Sequence, residues 1–175
     1  ATQPAIFDNT KELLIEKEKY FKSFKRTQIT LKIALPKTIS ELASELIEIL
    51  TKNPKSTIVV LNTIRSAENL FSAVKERSKK AGYEIYFLSS HVTPYERLGR
   101  IEKIRESTSK KVVISTQLVE AGVDIDLERV VRDLGPMDSI SQVAGRANRN
   151  QYIDLGEIEV VMLKDEKNQR SLYSY

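Results

Sequence analysis

The sequence predicts an α/β fold, a mostly parallel sheet of about six strands with helices on both faces. Two observations predict it. Short, continuous apolar runs such as TIVVLN (57–62) and KVVIST (111–116) read as strands buried on both faces, the habit of parallel sheets. Amphipathic segments with cap signals alternate with these runs, and strand and helix alternating at this spacing form crossovers that set neighbouring strands parallel. No repeat or low-complexity tract interrupts the pattern, and glycine and proline are sparse at six and five.

In chain order, KELLIEKEKYFKSF (11–24) carries Leu13, Leu14, Phe21 and Phe24 at helical spacing and is expected to be a helix. QITLKIAL (28–35) alternates Ile29, Leu31 and Ile33 with polar or small residues, as a strand with one solvated face does. TISE (38–41) is a capping box, Thr38 with Glu41, opening a helix through Leu42, Leu46 and Leu50. TIVVLN follows as a strand. A helix from about Ser66 buries Leu70, Phe71 and Val74 and stops at Gly82, a residue suited to a left-handed cap. YEIYFL (83–88) is a strand. TPYE (93–96) is a second capping box, with Pro94 where its missing N–H costs nothing. KVVIST and ERVVRDL (128–134) are strands, DSISQVAGRANR (138–149) a short helix, and EIEVVML (157–163) the last strand. Phe71, Tyr83, Tyr86 and Phe87 are expected to pack in or against the core.

At 175 residues the chain has the length of one domain with a sizeable core. It is 41% hydrophobic and 30% charged, with no apolar run long enough for a bilayer and no signal-peptide pattern, so a cytoplasmic location is expected and no membrane partner. Cysteine is absent and His91 is the lone histidine, which excludes a disulfide framework and argues against a metal centre. Chemistry is then left to oxygen, amide and guanidinium groups. The net charge of +4 permits an anionic partner without demanding one. Residues 72–111 hold ten Lys or Arg against five Glu, either a solvated basic face or part of such an interface; residues 151–175 hold three against five acidic. The Lys and Glu content suits a heat-adapted source. The opening ATQPAIFDNT, without methionine, suggests a fragment.

In parallel α/β sheets ligands sit at the carboxyl ends of the strands. The six glycines precede Tyr, Arg, Val, Pro, Arg and Glu, so the chain has no Walker A loop, nor a GxGxxG, and is not equipped to cradle a triphosphate by itself. Asp165 and Glu166 superficially resemble a Mg²⁺-binding pair, but Lys164 intrudes, and the reading is a solvated tail. STQLVEAGVDID (115–126) is more specific. Ser115, Thr116 and Gln117 at a strand end offer the groups that grip a phosphodiester, Gly122 allows close backbone approach, and Asp124 can accept from ribose hydroxyls. The alternative is an ordinary strand-to-helix turn. In QVAGRANR (142–149), helical spacing places Gln142, Arg146 and Arg149 on one face beside the same sheet edge, and a guanidinium fork matches phosphate oxygens.

VVISTQLVEAGVDID resembles motif V, and DSISQVAGRANR motif VI, of the second RecA-like domain of superfamily 2 helicases; VVLNTIRSAENLF is similar to motif IV. The wording is closest to the type I CRISPR-associated helicases, partners of an HD nuclease in target-DNA degradation. The resemblance implies a RecA-like three-layer sandwich over residues 28–164, preceded by a helical lead-in or linker (1–27) and followed by a tail (165–175). It implies that Arg149 and Arg146 are arginine fingers reaching an ATP bound, with Mg²⁺, mainly by a partner RecA-like domain that owns the Walker A and DExD/H motifs. A finger is typically worth about 10³- to 10⁵-fold in rate.

The resemblance further implies that Gln142 contacts the phosphate or the hydrolytic site and that Gly122 with Asp124 lines the nucleotide side of the cleft. Thr116, with Asn62 and Thr63 at the end of the motif IV strand, would hold the single-stranded DNA backbone; Ser115 and Gln117, from their own chemistry, and His91 are the further candidates for that contact. A CRISPR surveillance complex is a further implied partner. Val143 departs from the family, standing where many relatives carry a second basic residue. Ser89 and His91 replace a histidine and an arginine, which leaves His91 either a loop residue or a phosphate contact. The rival readings are another superfamily 2 helicase, acting in DNA repair or on RNA, and a non-catalytic binding module of the same fold.

Overall fold

The computed structural model describes residues 16, 18–19, 26–120, 123–150 and 154–165. Most of the helix expected over 11–24, Gly122 and Glu166 lie outside them. The described chain runs β1 (Thr27–Lys37), α1 (Ile39–Lys52), β2 (Thr57–Leu61), α2 (Ile64–Lys80), β3 (Glu84–Leu88), α3 (Pro94–Glu106), β4 (Lys111–Thr116), a 3₁₀ turn (Gln117–Val119), β5 (Arg129–Asp133), α4 (Met137–Ala144) and β6 (Gly156–Leu163). Among the described residues the six strands form one sheet in the order β1-β6-β5-β2-β4-β3, every pair parallel.

The apolar runs become the central strands for the reason their composition suggests. All residues of β2, β4 and β5 are buried, so both faces need apolar side chains. Val59, Leu61, Val112 and Ile114 pack under Leu42, Leu46 and Leu50 of α1 and Leu70 and Val74 of α2. Ile58, Val60, Val113 and Val130 face the other way, onto Ile104 of α3 and Val143 of α4. The result is the expected three-layer sandwich. Truncating a fully buried leucine such as Leu46 in such a core costs about 2–5 kcal/mol.

The caps act largely as expected. Thr38 accepts from the Glu41 N–H while the Glu41 carboxylate accepts from the Thr38 N–H. Thr93 accepts from the Glu96 N–H with Pro94 in the first turn. Thr63, not Ser66, opens α2, accepting from the Ser66 N–H. Gly82 follows α2 at φ +83°, open to glycine at little cost. Tyr83 is buried and donates to the Leu50 carbonyl, and Phe71 and Phe87 pack with ring centroids 5.4 Å apart.

Two expectations are corrected. The alternation of β1 is present, but its apolar side is open among the described residues: Ile29, Leu31 and Leu35 are 49%, 62% and 80% exposed. Lys32, on the opposite side, pairs with Glu45 of α1 and Glu159 of β6. Helix α4 does not run through Arg149. It ends at Ala144, Gly145 caps it, and the chain turns so that Ala147 bridges Leu127 and Asn148 takes φ +50°. The physical reason is tertiary, since Ala147 and Asn148 are 2% and 3% exposed and are used as packing against the chain entering β5.

Candidate functional site

Strand ends and the return of α4 divide the expected site residues between the two ends of the sheet. Asn62 and Thr63 follow β2, Thr116 closes β4, Gln117 opens the 3₁₀ turn, and His91 follows β3, so these share the carboxyl edge. Helix α4 starts beyond the carboxyl end of β5 and runs back, and the Leu127–Ala147 bridge lies before β5 begins. Arg146 and Arg149 therefore sit in a turn toward the amino end, not on a helix face with Gln142 and not at the edge that holds Thr116. Gln142 remains on α4, exposed.

The turn is braced from four sides. Asp126 accepts from the backbone N–H groups of Arg149 and Asn150, both at 2.8 Å. Arg26, just before β1, donates to the Arg149 carbonyl at 3.2 Å, and its own carbonyl accepts from the Asn148 side chain. The Leu127 N–H donates to the Arg146 carbonyl. Gly156 packs so closely that a Cβ there would lie 2.9 Å from the Asn148 Cβ. A backbone held by these contacts thus presents two long cations. Arg149 Nη1 donates to Asp124 Oδ1 at 2.5 Å, with 44% and 63% of the two side chains exposed. Arg146 Nη2 donates to the Glu120 carbonyl at 3.1 Å.

At the carboxyl edge the expected contacts differ in what they leave available. Ser115 has no exposed surface and its hydroxyl donates to the Leu88 carbonyl, so it braces β4 against β3. The Thr63 hydroxyl is engaged as the α2 cap and donates to Ser66. Asn62 is half-buried, its amide donating to the Leu134 carbonyl at 2.6 Å. Thr116 is 7% exposed, whereas Gln117 faces solvent. His91 is exposed, with Nδ1 at 3.7 Å from Glu68 Oε1. Val143 is fully buried in the core. Nearby, burial pushes the Asp133 carboxyl up to about 6, against the backbone N–H groups of Leu163, Asn62 and Leu134 and the charge of Arg132, which draw it down.

Sequence reasoning missed Asp126, Arg26, Gly156 and the buried Arg132. For Asp126 a signal existed: in VDID the apolar Val123 and Ile125 are buried and the two carboxylates alternate with them on the open side. For Arg132 the signal was a charge inside a run whose other central members are valines.

Comparison with known proteins gives the family and the fold. Residues 53–152 match the family model described as CRISPR-associated nuclease/helicase Cas3, C-terminal. A CRISPR-associated nuclease/helicase Cas3 of Methanothermobacter thermautotrophicus is 29% identical over 138 residues, covering 75% of this chain and 16% of the relative. That of Haloferax volcanii is 37% identical over 105 residues, covering 57% of this chain and 11% of the relative. A crystal structure of T. fusca Cas3 with ADP superposes with a TM-score of 0.69 at 19% identity, over 83% of this chain and 19% of that one, which gives the fold as RecA-like. The chain spans less than a fifth of the length of these relatives. Because the family model covers more than half of the chain, it belongs to the C-terminal family of the CRISPR-associated nuclease/helicase Cas3.

Proposed function

We propose that this chain is the C-terminal motor domain of an ATP-dependent helicase of CRISPR interference, completing an ATP site on a preceding RecA-like domain. The observation that carries this reading is the braced turn that presents Arg146 and Arg149 on a chain with no phosphate loop of its own. Two cations held on a braced backbone, with one paired only at the solvent surface, are suited to an anionic group that arrives from outside.

In this reading ATP and Mg²⁺ would be held mainly by the partner domain's Walker A and DExD/H motifs. Mg²⁺ bound there would neutralise phosphate charge. This chain's part is then electrostatic. Arg149 exchanges the Asp124 carboxylate for the γ-phosphate when the domains close, Arg146 and Gln142 approach beside it, and the freed Asp124 faces the ribose side. The charge that spreads over the transferred group is stabilised most when the donors are already oriented, which is what the Asp126 and Arg26 contacts supply.

At the carboxyl edge Gln117, Thr116, Asn62 and the α2 cap at Thr63 receive the single-stranded DNA backbone, with exposed His91 at the margin. Opening and closing of the domains shifts that grip along the strand. An HD nuclease and a surveillance complex are the partners this role implies.

The test is ATP hydrolysis by this chain alone, and joined to the preceding RecA-like domain, with and without single-stranded DNA. Activity that needs both parts and rises with DNA is expected. Hydrolysis by the chain alone overturns the shared ATP site, and none from the joined protein overturns the reading in favour of a binding module; stimulation by RNA but not DNA favours a different superfamily 2 helicase.

A further inference from the structure

One guanidinium ties together the loops that this function uses. Arg132, on β5, is fully buried. Its Nη1 donates to Asn62 Oδ1 and to the Asp133 carbonyl, both at 2.7 Å. Its Nη2 donates to Glu120 Oε1 at 3.0 Å and to Ser139 Oγ at 2.8 Å, and the Ser139 hydroxyl donates to the same carboxylate oxygen at 2.6 Å. The Glu120 carbonyl in turn accepts from Arg146 Nη2. A continuous path therefore runs from Asn62 at the carboxyl edge, through Arg132 and Glu120, to Arg146 in the turn. The fit is close: a Cβ on Gly135 would lie 2.9 Å from Arg132 Nη2.

Packing alone does not call for this residue. Val130 and Val131 fill neighbouring positions of the same strand, and a buried ion pair is often no more stabilising than an apolar side chain of equal volume. What a guanidinium supplies that a valine does not is direction, because its fork holds each acceptor at a fixed angle. In a low-dielectric interior, moving Asn62 or Glu120 by itself leaves a charged or polar group unmatched. The strand-side loop, the turn after β4 and the start of α4 are thereby constrained to move as one body.

We infer that Arg132 is a positioning residue that, through Glu120, links Asn62 to Arg146, so that DNA held at the carboxyl edge sets the reach of Arg146 toward the phosphate. The inference rests on the function proposed above. Its reading is the ratio of kcat with an oligothymidylate to kcat without it, measured in the full-length protein together with KM for ATP and Tm.

Arg132→Lys keeps the charge and loses the fork; Glu120→Gln keeps an acceptor oxygen and loses the charge. Both are expected to lower the ratio by at least about fivefold, the lower end of a typical coupling between sites, while KM for ATP stays within about twofold. Ser139→Ala, which removes only the hydroxyl, is expected to fold even if the others do not, and to lower the ratio in the same direction by less. Loss of folded protein does not change the ratio. An unchanged ratio in Arg132→Lys, or in Ser139→Ala should the first not fold, overturns the inference, as does a fall in kcat that is equal with and without the strand. A parent protein that hydrolyses ATP without any response to DNA removes the proposed function itself, a failure seen before any variant is made.

Discussion

Arg149→Ala separates the two things a surface arginine does. In the fold, the side chain's described contact is the ion pair with Asp124, and both partners are substantially exposed at 44% and 63%. Exposed pairs of this kind contribute about 0.2–1 kcal/mol, because water screens the attraction and both side chains lose freedom. The backbone bonds to Asp126 and Arg26 use the N–H and carbonyl of residue 149 and survive the substitution. At about 2–4 °C per kcal/mol for a domain of this size, Tm of the isolated chain should fall by less than about 4 °C. Catalysis is a different matter. A finger on the transferred phosphoryl group is worth about 10³- to 10⁵-fold, or about 4–7 kcal/mol of transition-state stabilisation. Thermal unfolding of the chain and single-turnover ATP hydrolysis by the full-length protein measure the two effects separately, with DNA affinity as the control expected to stay near the parent's. Hydrolysis within about threefold of the parent, a change of less than about 1 kcal/mol, would refute the finger assignment. A Tm loss above about 8 °C would instead make Arg149 a structural anchor.

Three further outcomes are expected. Asp126→Ala removes both backbone bonds that hold residues 149 and 150 and should cost about 2 kcal/mol of stability, and it should also slow hydrolysis at least about tenfold with Arg149 intact; unaltered kcat would show that the turn holds itself. Because the Asp133 carboxyl is raised from 3.8 to about 6 by burial, the folded state keeps a proton that the unfolded chain has lost between those values. Parent stability relative to Asp133→Asn should therefore fall by about 3 kcal/mol as pH rises from about 4 to about 6 and then level off, and a Tm difference independent of pH would contradict it. At the carboxyl edge, Ser115→Ala should cost about 1 kcal/mol through its lost bond to Leu88 and leave DNA affinity unchanged, whereas Gln117→Ala should weaken DNA binding with Tm unmoved; filter binding and calorimetry distinguish the two.

The fold was largely legible because local signals and burial agreed. A run such as TIVVL has every residue buried, so its composition leaves only a central strand, and Thr38 with Glu41 satisfies the first turn of α1 whatever surrounds it. The reading failed at β1, where the alternation reported a pattern but not a covering element, and at the end of α4. There the sequence GRANR has ordinary helical spacing, and what stops the helix is a partner distant in the chain, Leu127, which takes Ala147 into a bridge. Glycines show the same limit. Gly82 is readable as a cap from its place after α2, while Gly156 is required by the approach of Asn148, which only the folded chain reveals.

From the sequence alone came the class of the fold, the order of its elements, the missing phosphate loop and the likeness of three motifs to those of helicases, all of which depend on residues near one another in the chain. The tertiary structure decided where the arginines point and what holds them. Asp124 meets Arg149 across 25 positions, Asp126 reaches Arg149 across 23, and Arg132 joins Asn62 across 70. Such contacts form because parallel strands bring remote segments side by side, and a guanidinium or carboxylate buried or clamped there is matched by whatever the topology places within about 3 Å, a choice no local pattern encodes.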